Sequence, residues 1–290
     1  MSSTFTSKPL NFGYTKPLVD KLEMDLTATE AKEWIAALDS RNATRHMRSI
    51  PGRETYLVEH NGRAVVVKAT LDDLPRERWY DNFHGSFGRL PGQREYDNLD
   101  GLRRAGFRVP EPIGWARDAE GRSLVAMEYV AHREDLFQRL GRADFSERVR
   151  WGERLVDWVA RLHTAGFYHR DLYFVHFILA EDSDELVLLD AGRTRCEPAP
   201  RKRWFIKDLA ALYHSRPATV SPKDALRLLS AYLLRTHFSN STSVRLRRRS
   251  ELNRWARRVD RKAQRLAAHR PKYVDSSGIQ SFSGEGEIQL

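Results

Sequence analysis

A single cysteine, Cys196, is the only thiol in this 290-residue chain. One thiol cannot close an internal disulfide and leaves no Cys-rich zinc site, which points to a reducing, cytoplasmic compartment. Long apolar runs are missing as well. Nothing approaches the roughly 18 apolar residues of a membrane-spanning helix, and the longest runs, such as Leu186–Leu189, are strand-length. Met1–Thr6 has neither the basic start nor the apolar centre of a secretory signal, so none is expected. There is no internal repeat, and no helix-turn-helix, zinc or RNA-recognition signature accompanies the charge, which argues against nucleic acid.

What the chain does have is positive charge and enough apolar mass for a large core. Lys plus Arg number 49 against 39 Asp plus Glu, a formal net charge of +10, with 41% hydrophobic residues. That composition suits a globular protein with anionic partners, such as phosphorylated glycans or anionic lipid headgroups.

Patterning divides the chain near Val130. Before it, Ala28–Leu38 has helical spacing, and Thr55–Val58 and Ala64–Lys68 flank Asn61-Gly62, which predicts a β-hairpin. Leu71–Arg94 reads as a loop or insertion leading into a helix carrying Glu95, Leu99 and Leu102, ended by Gly106. Ile113–Ala116 and Ser123–Tyr129 form a second strand pair. After it, Arg148–His163 is a helix with Val149, Leu155, Val156, Val159 and Leu162 on one side. Short strands follow within Tyr168–Asp190, then helices at Lys207–Tyr213, Lys223–Leu234 and Leu246–Ala268. The expected architecture is α+β and bilobal: an antiparallel sheet with one helix over 1–130, a mainly helical lobe over 131–272, and a disordered tail over 273–290.

The order of chemically able residues is specific. Lys68 ends a β-branched strand and Glu95 lies on the next helix, with Asp97 and Asp100 as rivals. Met127–Val130 ends a strand pair, His169-Arg170-Asp171 follows a helix, and Asp190 ends an apolar strand 19 positions later. This is the order of parts in the protein-kinase fold. Phosphoryl transfer needs charge neutralisation and alignment more than covalent help. Lys68 can hold ATP phosphates and Glu95 can fix Lys68. Asp171 can accept the proton of an attacking hydroxyl, and Asp190 can hold Mg2+. Gly52, in the turn Ser49–Arg53, could cover the phosphates, and the main chain of Glu128 and Val130 could take the adenine edge. His169 and Arg170 read as pins of the loop, the guanidinium through carboxylate or carbonyl bonds. Asp208 reads as a brace for that loop or as a helix N-cap, and His176 as a core histidine or a metal- or phosphate-side group.

The stretch Leu162-His163-Thr164-Ala165-Gly166-Phe167-Tyr168-His169-Arg170-Asp171-Leu172-Tyr173-Phe174-Val175-His176-Phe177-Ile178-Leu179 resembles the lipopolysaccharide core heptose kinase family. So does Arg203–Tyr213, and together they carry a resemblance spanning roughly Arg48 to Ser215. His176 stands five positions after Asp171, where protein kinases carry Asn and the heptose kinases a histidine. The resemblance implies a protein-kinase-like fold, ATP with Mg2+ as cofactors, and transfer to a heptose hydroxyl of the lipopolysaccharide inner core at the cytoplasmic face of the inner membrane. Asp190-Ala191-Gly192-Arg193 is closer to the general kinase triplet, so a protein or another small molecule stays open as acceptor. Glu197-Pro198 makes no activation-segment anchor, which argues against a protein. A silent pseudokinase scaffold is the third reading; the thin glycine loop favours it, and the presence of Lys68, Asp171 and Asp190 opposes it.

One feature stands outside that set. Leu252, Trp255, Ala256, Val259, Ala263 and Leu266 form an apolar stripe on the last helix, surrounded by Arg245, Arg247, Arg248, Arg249, Arg254, Arg257, Arg258, Arg261, Lys262 and Arg265. The stripe predicts packing on the helical lobe. The basic face predicts attraction to an anionic membrane or glycan.

Overall fold

The computed structural model describes residues 44–50, 52–60, 62–70, 88–117, 123–181, 183, 185–236 and 245–268. The helix expected at Ala28–Leu38, most of the loop expected from Leu71 and the tail over 273–290 lie outside these residues. The chain forms two compact units that divide between Val130 and Ala131.

The first unit is a five-stranded antiparallel sheet and one helix. Its strands are β1 (Thr44–Ile50), β2 (Arg53–His60), β3 (Arg63–Thr70), β4 (Pro112–Arg117) and β5 (Ser123–Glu128), in the order β1-β2-β3-β5-β4. The polar strand β1 has no period-2 apolar signal, and among the described residues its strand partner is β2. In β3, Val65, Val67 and Ala69 are buried, so the two-residue period of a strand puts Lys68 on the opposite face. Lys68 pairs with Thr55 on one side and Val125 on the other, which fixes its backbone from both flanks.

Helix α1 runs Pro91–Arg104, so the expected loop ends at Leu90 rather than Arg94. Two residues that look like breakers begin it. Proline at the first helical position gives up an N–H that has no intrahelical partner there. Gly92 lies so close to β5 that a Cβ would fall 2.4 Å from the Leu124 carbonyl oxygen. Its N–H donates to Ser123 Oγ at 3.0 Å.

The second unit is mainly helical: α2 (Leu136–Arg142), α3 (Phe145–Thr164), α4 (Lys202–His214), α5 (Pro222–Thr236) and α6 (Arg245–Ala267). Two small antiparallel sheets join them. One is β6 (His132–Asp135), β8 (Phe177–Ala180) and β9 (Leu186–Leu188). The other pairs β7 (Phe167–Tyr168) with β10 (Arg195–Cys196), leaving Cys196 exposed. Asp144 caps α3 by accepting the Glu147 N–H at 2.9 Å. Trp151, Leu155, Val159 and Leu162 form its buried stripe, with Trp158 beside them. Val149 is exposed instead: six residues before Leu155 is 240° around the helix, off the buried face.

Helix α6 packs on α4 and α5 through Trp255, Val259 and Ala263, all buried. Arg254, Arg257, Arg258, Arg261 and Arg265 face solvent. Among α3, α4, α5 and α6 lies a cavity of about 330 Å³, lined by Leu155, Val159, Phe174, Leu229 and Tyr232 among others, with Arg216 and Arg257 as its basic residues. Among the described residues no helix is long and apolar enough to cross a membrane.

Candidate active site

In the first unit the structure brings Lys68 and Glu95 together, Nζ donating to Oε1 at 2.6 Å. Both side chains are largely buried, 27% and 11% exposed, a setting in which a charge-assisted bond is worth more than on the surface. Helix geometry selects Glu95 over its rivals. It sits at i, i+4, i+7 with Leu99 and Leu102, the two fully buried leucines of α1. Asp97 and Asp100 lie off that stripe and pair instead with Arg89 at 3.0 Å and Arg104 at 2.8 Å. Gly52 turns β1 into β2 with φ 75°, a left-handed conformation suited to glycine. At the end of β5 the Glu128 N–H already donates to the Glu111 carbonyl at 2.8 Å, and that of Tyr129 to Ala64 at 3.1 Å. A nucleobase would therefore have to be read there by other main-chain groups.

In the second unit the His169–Asp171 loop hangs from the interior of α4. Asp208, fully buried at the midpoint of that helix and not at its start, accepts the His169 N–H through Oδ2 and the Arg170 N–H through Oδ1, each at 2.6 Å. His163 joins the same carboxylate: its Nδ1 takes the Tyr232 hydroxyl at 2.7 Å, leaving Nε2–H for Asp208 Oδ2 at 3.3 Å. Arg170 has φ 76°, the one positive value outside glycine among the described residues. Such a conformation costs about 1–3 kcal/mol and persists where surroundings over-determine it, as the bond to Asp208 does here. The Arg170 guanidinium is not tied through a carboxylate at Nε or Nη2; it lies 5.4 Å from the Trp204 ring centroid, over its face.

His169 is buried and ties the two acidic segments together. Its Nδ1 accepts the Asp171 N–H at 3.3 Å, so Nε2 carries the proton and donates to the Asp190 carbonyl. Asp190 Oδ1 accepts the Gly192 N–H at 3.1 Å. His176 Nδ1 lies 3.0 Å from the Asp171 carbonyl oxygen, and the His176 carbonyl takes the Leu189 N–H at 2.9 Å. The backbone of Asp171 is thus held to that of Asp190 through His169 and to that of Leu189 through His176. Phe174 N–H donates to Ser215 Oγ at 3.1 Å, fixing the exit of the loop to the end of α4.

Two residues at Asp171 escaped sequence reasoning. Arg193 Nη1 donates to Asp171 Oδ2 at 2.8 Å, and Lys207 Nζ stands 3.8 Å from Oδ1. Burial pulls the Lys207 ammonium down to about 8; Asp171 pulls the other way, and Arg193 and Arg170 add to the fall. Only the adjacency of Lys207 to Asp208 could have signalled it. Beside the loop, Tyr168 donates to the Glu197 carboxylate and stacks on Trp204, the rings 3° from parallel. Burial first, then Glu197, raises the Tyr168 phenol above its ordinary range.

A strand lysine bonded to a helix glutamate, and a His-Arg-Asp loop pinned to a helical core, are arranged like the corresponding elements of a protein-kinase-like phosphotransferase. The solved structure of WaaP in complex with acyl carrier protein shares the fold, with a TM-score of 0.54, 28% identity, and coverage of 77% of this chain and 88% of that one. A lipopolysaccharide core heptose(I) kinase WaaP of Pseudomonas aeruginosa is 30% identical over 246 residues, 79% of this chain and 88% of that protein. A RIO-type serine/threonine-protein kinase Rio1 of Haloferax volcanii is 31% identical over 137 residues, 47% of this chain and 45% of that protein. Residues 29–232 match the lipopolysaccharide kinase (Kdo/WaaP) family, and the chain belongs to it. As a kinase of this family it draws its phosphoryl group from ATP.

Proposed function

We propose that this chain transfers the γ-phosphoryl group of ATP to a heptose hydroxyl of the lipopolysaccharide inner core, with Asp171 as the general base. The observation that carries the role of Asp171 is its setting: a part-exposed carboxylate on a loop fixed by Asp208, flanked by two cations. A carboxylate so held can take the hydroxyl proton as the oxygen attacks phosphorus. Lys68, held by Glu95, clamps the ATP phosphates, and Gly52 lets the β1–β2 turn approach them. The carbonyl of Glu128 and the main chain of Val130 take the adenine edge. His169, Arg170 and Asp208 hold the loop.

Magnesium takes oxygen ligands, commonly one or two carboxylates and the substrate phosphates. Asp190 suits that role, whereas the imidazole of His176 is a poor donor for so hard a cation. The bond of His176 to the Asp171 carbonyl supports a positioning role instead. A bound Mg2+ would neutralise phosphate charge during transfer.

We assign the reaction to the cytoplasmic face of the inner membrane, a reading supported by the basic face of α6, which favours an anionic glycan or lipid surface. That a WaaP was solved with an acyl carrier protein supports a like partner here, and the apolar cavity among α3–α6 is of a kind that accepts a hydrocarbon chain. The stretch shared with a RIO-type kinase makes a protein hydroxyl the second reading.

The test is transfer of labelled γ-phosphate to dephosphorylated, heptose-containing core lipopolysaccharide. Asp171→Ala should lower the rate by roughly 10²–10⁴. Labelling of protein but not of lipopolysaccharide would replace the first reading by the second.

A further inference from the structure

The two cations at Asp171 are not equivalent. Arg193 is 45% exposed, on the turn after Asp190-Ala191-Gly192, and its guanidinium is within bonding distance of the carboxylate. Lys207 is 17% exposed and sits on α4 next to Asp208, the residue that fixes the backbone of the loop. Its ammonium is therefore carried by the same helix that holds the loop. At 3.8 Å from Asp171 Oδ1 it is past hydrogen-bonding range. Among the described residues nothing accepts a hydrogen bond from it. A half-buried ammonium that forms an ion pair at 3.8 Å without a hydrogen bond gains little stability from that pair. The charged groups around it are Asp171 and Asp208, with Arg193 and Arg170 opposing.

We infer that Lys207 is a further catalytic residue, whose ammonium binds an equatorial oxygen of the phosphoryl group in flight while Asp171 takes the acceptor proton. The inference rests on the kinase reading above. In the step, the acceptor oxygen forms a bond to the γ-phosphorus, and the bond from that phosphorus to the bridging oxygen of ADP breaks. The electron pair leaves on ADP, the hydroxyl proton passes to Asp171, and Lys207 stays protonated throughout. The gap at Asp171 is then functional: the lysine is close enough to act on the same reacting centre and is not neutralised by the base. Arg193, exposed and on a turn, is the cation that yields its place at Asp171 to the incoming hydroxyl.

The test compares Lys207→Met and Lys207→Arg with wild type in the full chain. It reads kcat and KM for ATP, with core lipopolysaccharide as acceptor and, separately, with water as acceptor in slow ATP hydrolysis. Losing one preorganised cation should lower kcat about 10²-fold in both reactions, with KM for ATP within about threefold of wild type. Lys207→Arg should recover part of the loss, and Lys207→Met should unfold at the same temperature as wild type or higher, since a strained charge is gone. A kcat within threefold of wild type in Lys207→Met would overturn the inference, as would a loss of rate that tracks a fall in melting temperature and is not relieved by arginine. If wild type hydrolyses ATP but leaves lipopolysaccharide unlabelled, the acceptor reading fails while the hydrolysis series still decides the role of Lys207. If wild type does neither, both fall.

Discussion

Replacing Gly92 by alanine adds one methyl group at the point where α1 meets the sheet. That carbon would lie 2.4 Å from the Leu124 carbonyl oxygen and 2.7 Å from its carbon, while ordinary contact begins near 3.4 Å. The obstacle is the main chain of β5, paired on both sides by β3 and β4, so the helix has to give way by about 1 Å. Glu95 is three residues on, in the same helix, and moves with it. Its 2.6 Å bond to Lys68 would then open to roughly 3.6 Å, past the range of an N–H···O bond. Overpacking costs about 1–3 kcal/mol, the weakened charged bond about 1.5–3 kcal/mol, and the better helix propensity of alanine returns about 1 kcal/mol. A net loss of about 1.5–5 kcal/mol should lower the melting temperature by roughly 3–20 °C in a protein of this size. A displacement of 1 Å at a positioning group also lowers kcat about 10²-fold. Thermal unfolding and ATP turnover measure both. Gly141→Ala in α2, where a Cβ meets nothing within 4 Å, is the control and should be neutral or slightly stabilising. A Gly92→Ala protein that matches wild type in both assays would refute the claim that this contact sets the Lys68–Glu95 distance.

Asp208→Asn keeps the shape of the side chain but turns an amide NH₂ toward one of the two main-chain N–H groups of the loop. An unpaired buried donor costs about 1–3 kcal/mol, so urea unfolding should shift to lower midpoint and kcat should fall more than tenfold. Glu251 is held below the usual carboxylate range chiefly by its bond to Lys202, at 3.0 Å. That contribution is complete above the ordinary carboxylate value and is lost as pH falls through the lowered one, so Glu251→Gln should flatten the acid end of the stability curve. Lys207 titrates near 8 in the fold against 10.5 in an open chain. The unfolded chain binds more protons between those values, so wild-type stability gains with pH across that window, and Lys207→Met should lack the gain when the two pH profiles are subtracted.

Residues that act through their own strand or helix were legible from spacing. Lys68 follows from a two-residue period ending in a lysine, and Glu95 from sharing a stripe with Leu99 and Leu102. The His169–Asp171 loop was legible because its residues are contiguous. Misreadings came where tertiary contact overrides local pattern. Pro91 and Gly92 punctuate a sequence but start a helix when β5 stands beside them. His132–Asp135 is too polar to look like a strand, and it is one because β8 offers an edge. Helix α4 begins at Lys202, five residues before the start expected at Lys207. The convergence of Arg193 and Lys207 on Asp171, from 22 and 36 positions away, has no local signature.

Cys196 has a practical use. It is the single thiol of the whole chain, exposed on β10, and its partner strand β7 leads directly into His169. A maleimide dye or spin label would therefore attach at one place with no cysteine to remove first, and it would report from the strand pair that feeds the His169–Asp171 loop. Burial raises the thiol above its ordinary value, so at neutral pH it is mostly protonated and reacts slowly. Labelling at mildly alkaline pH gives a stoichiometric handle for watching nucleotide and acceptor arrive.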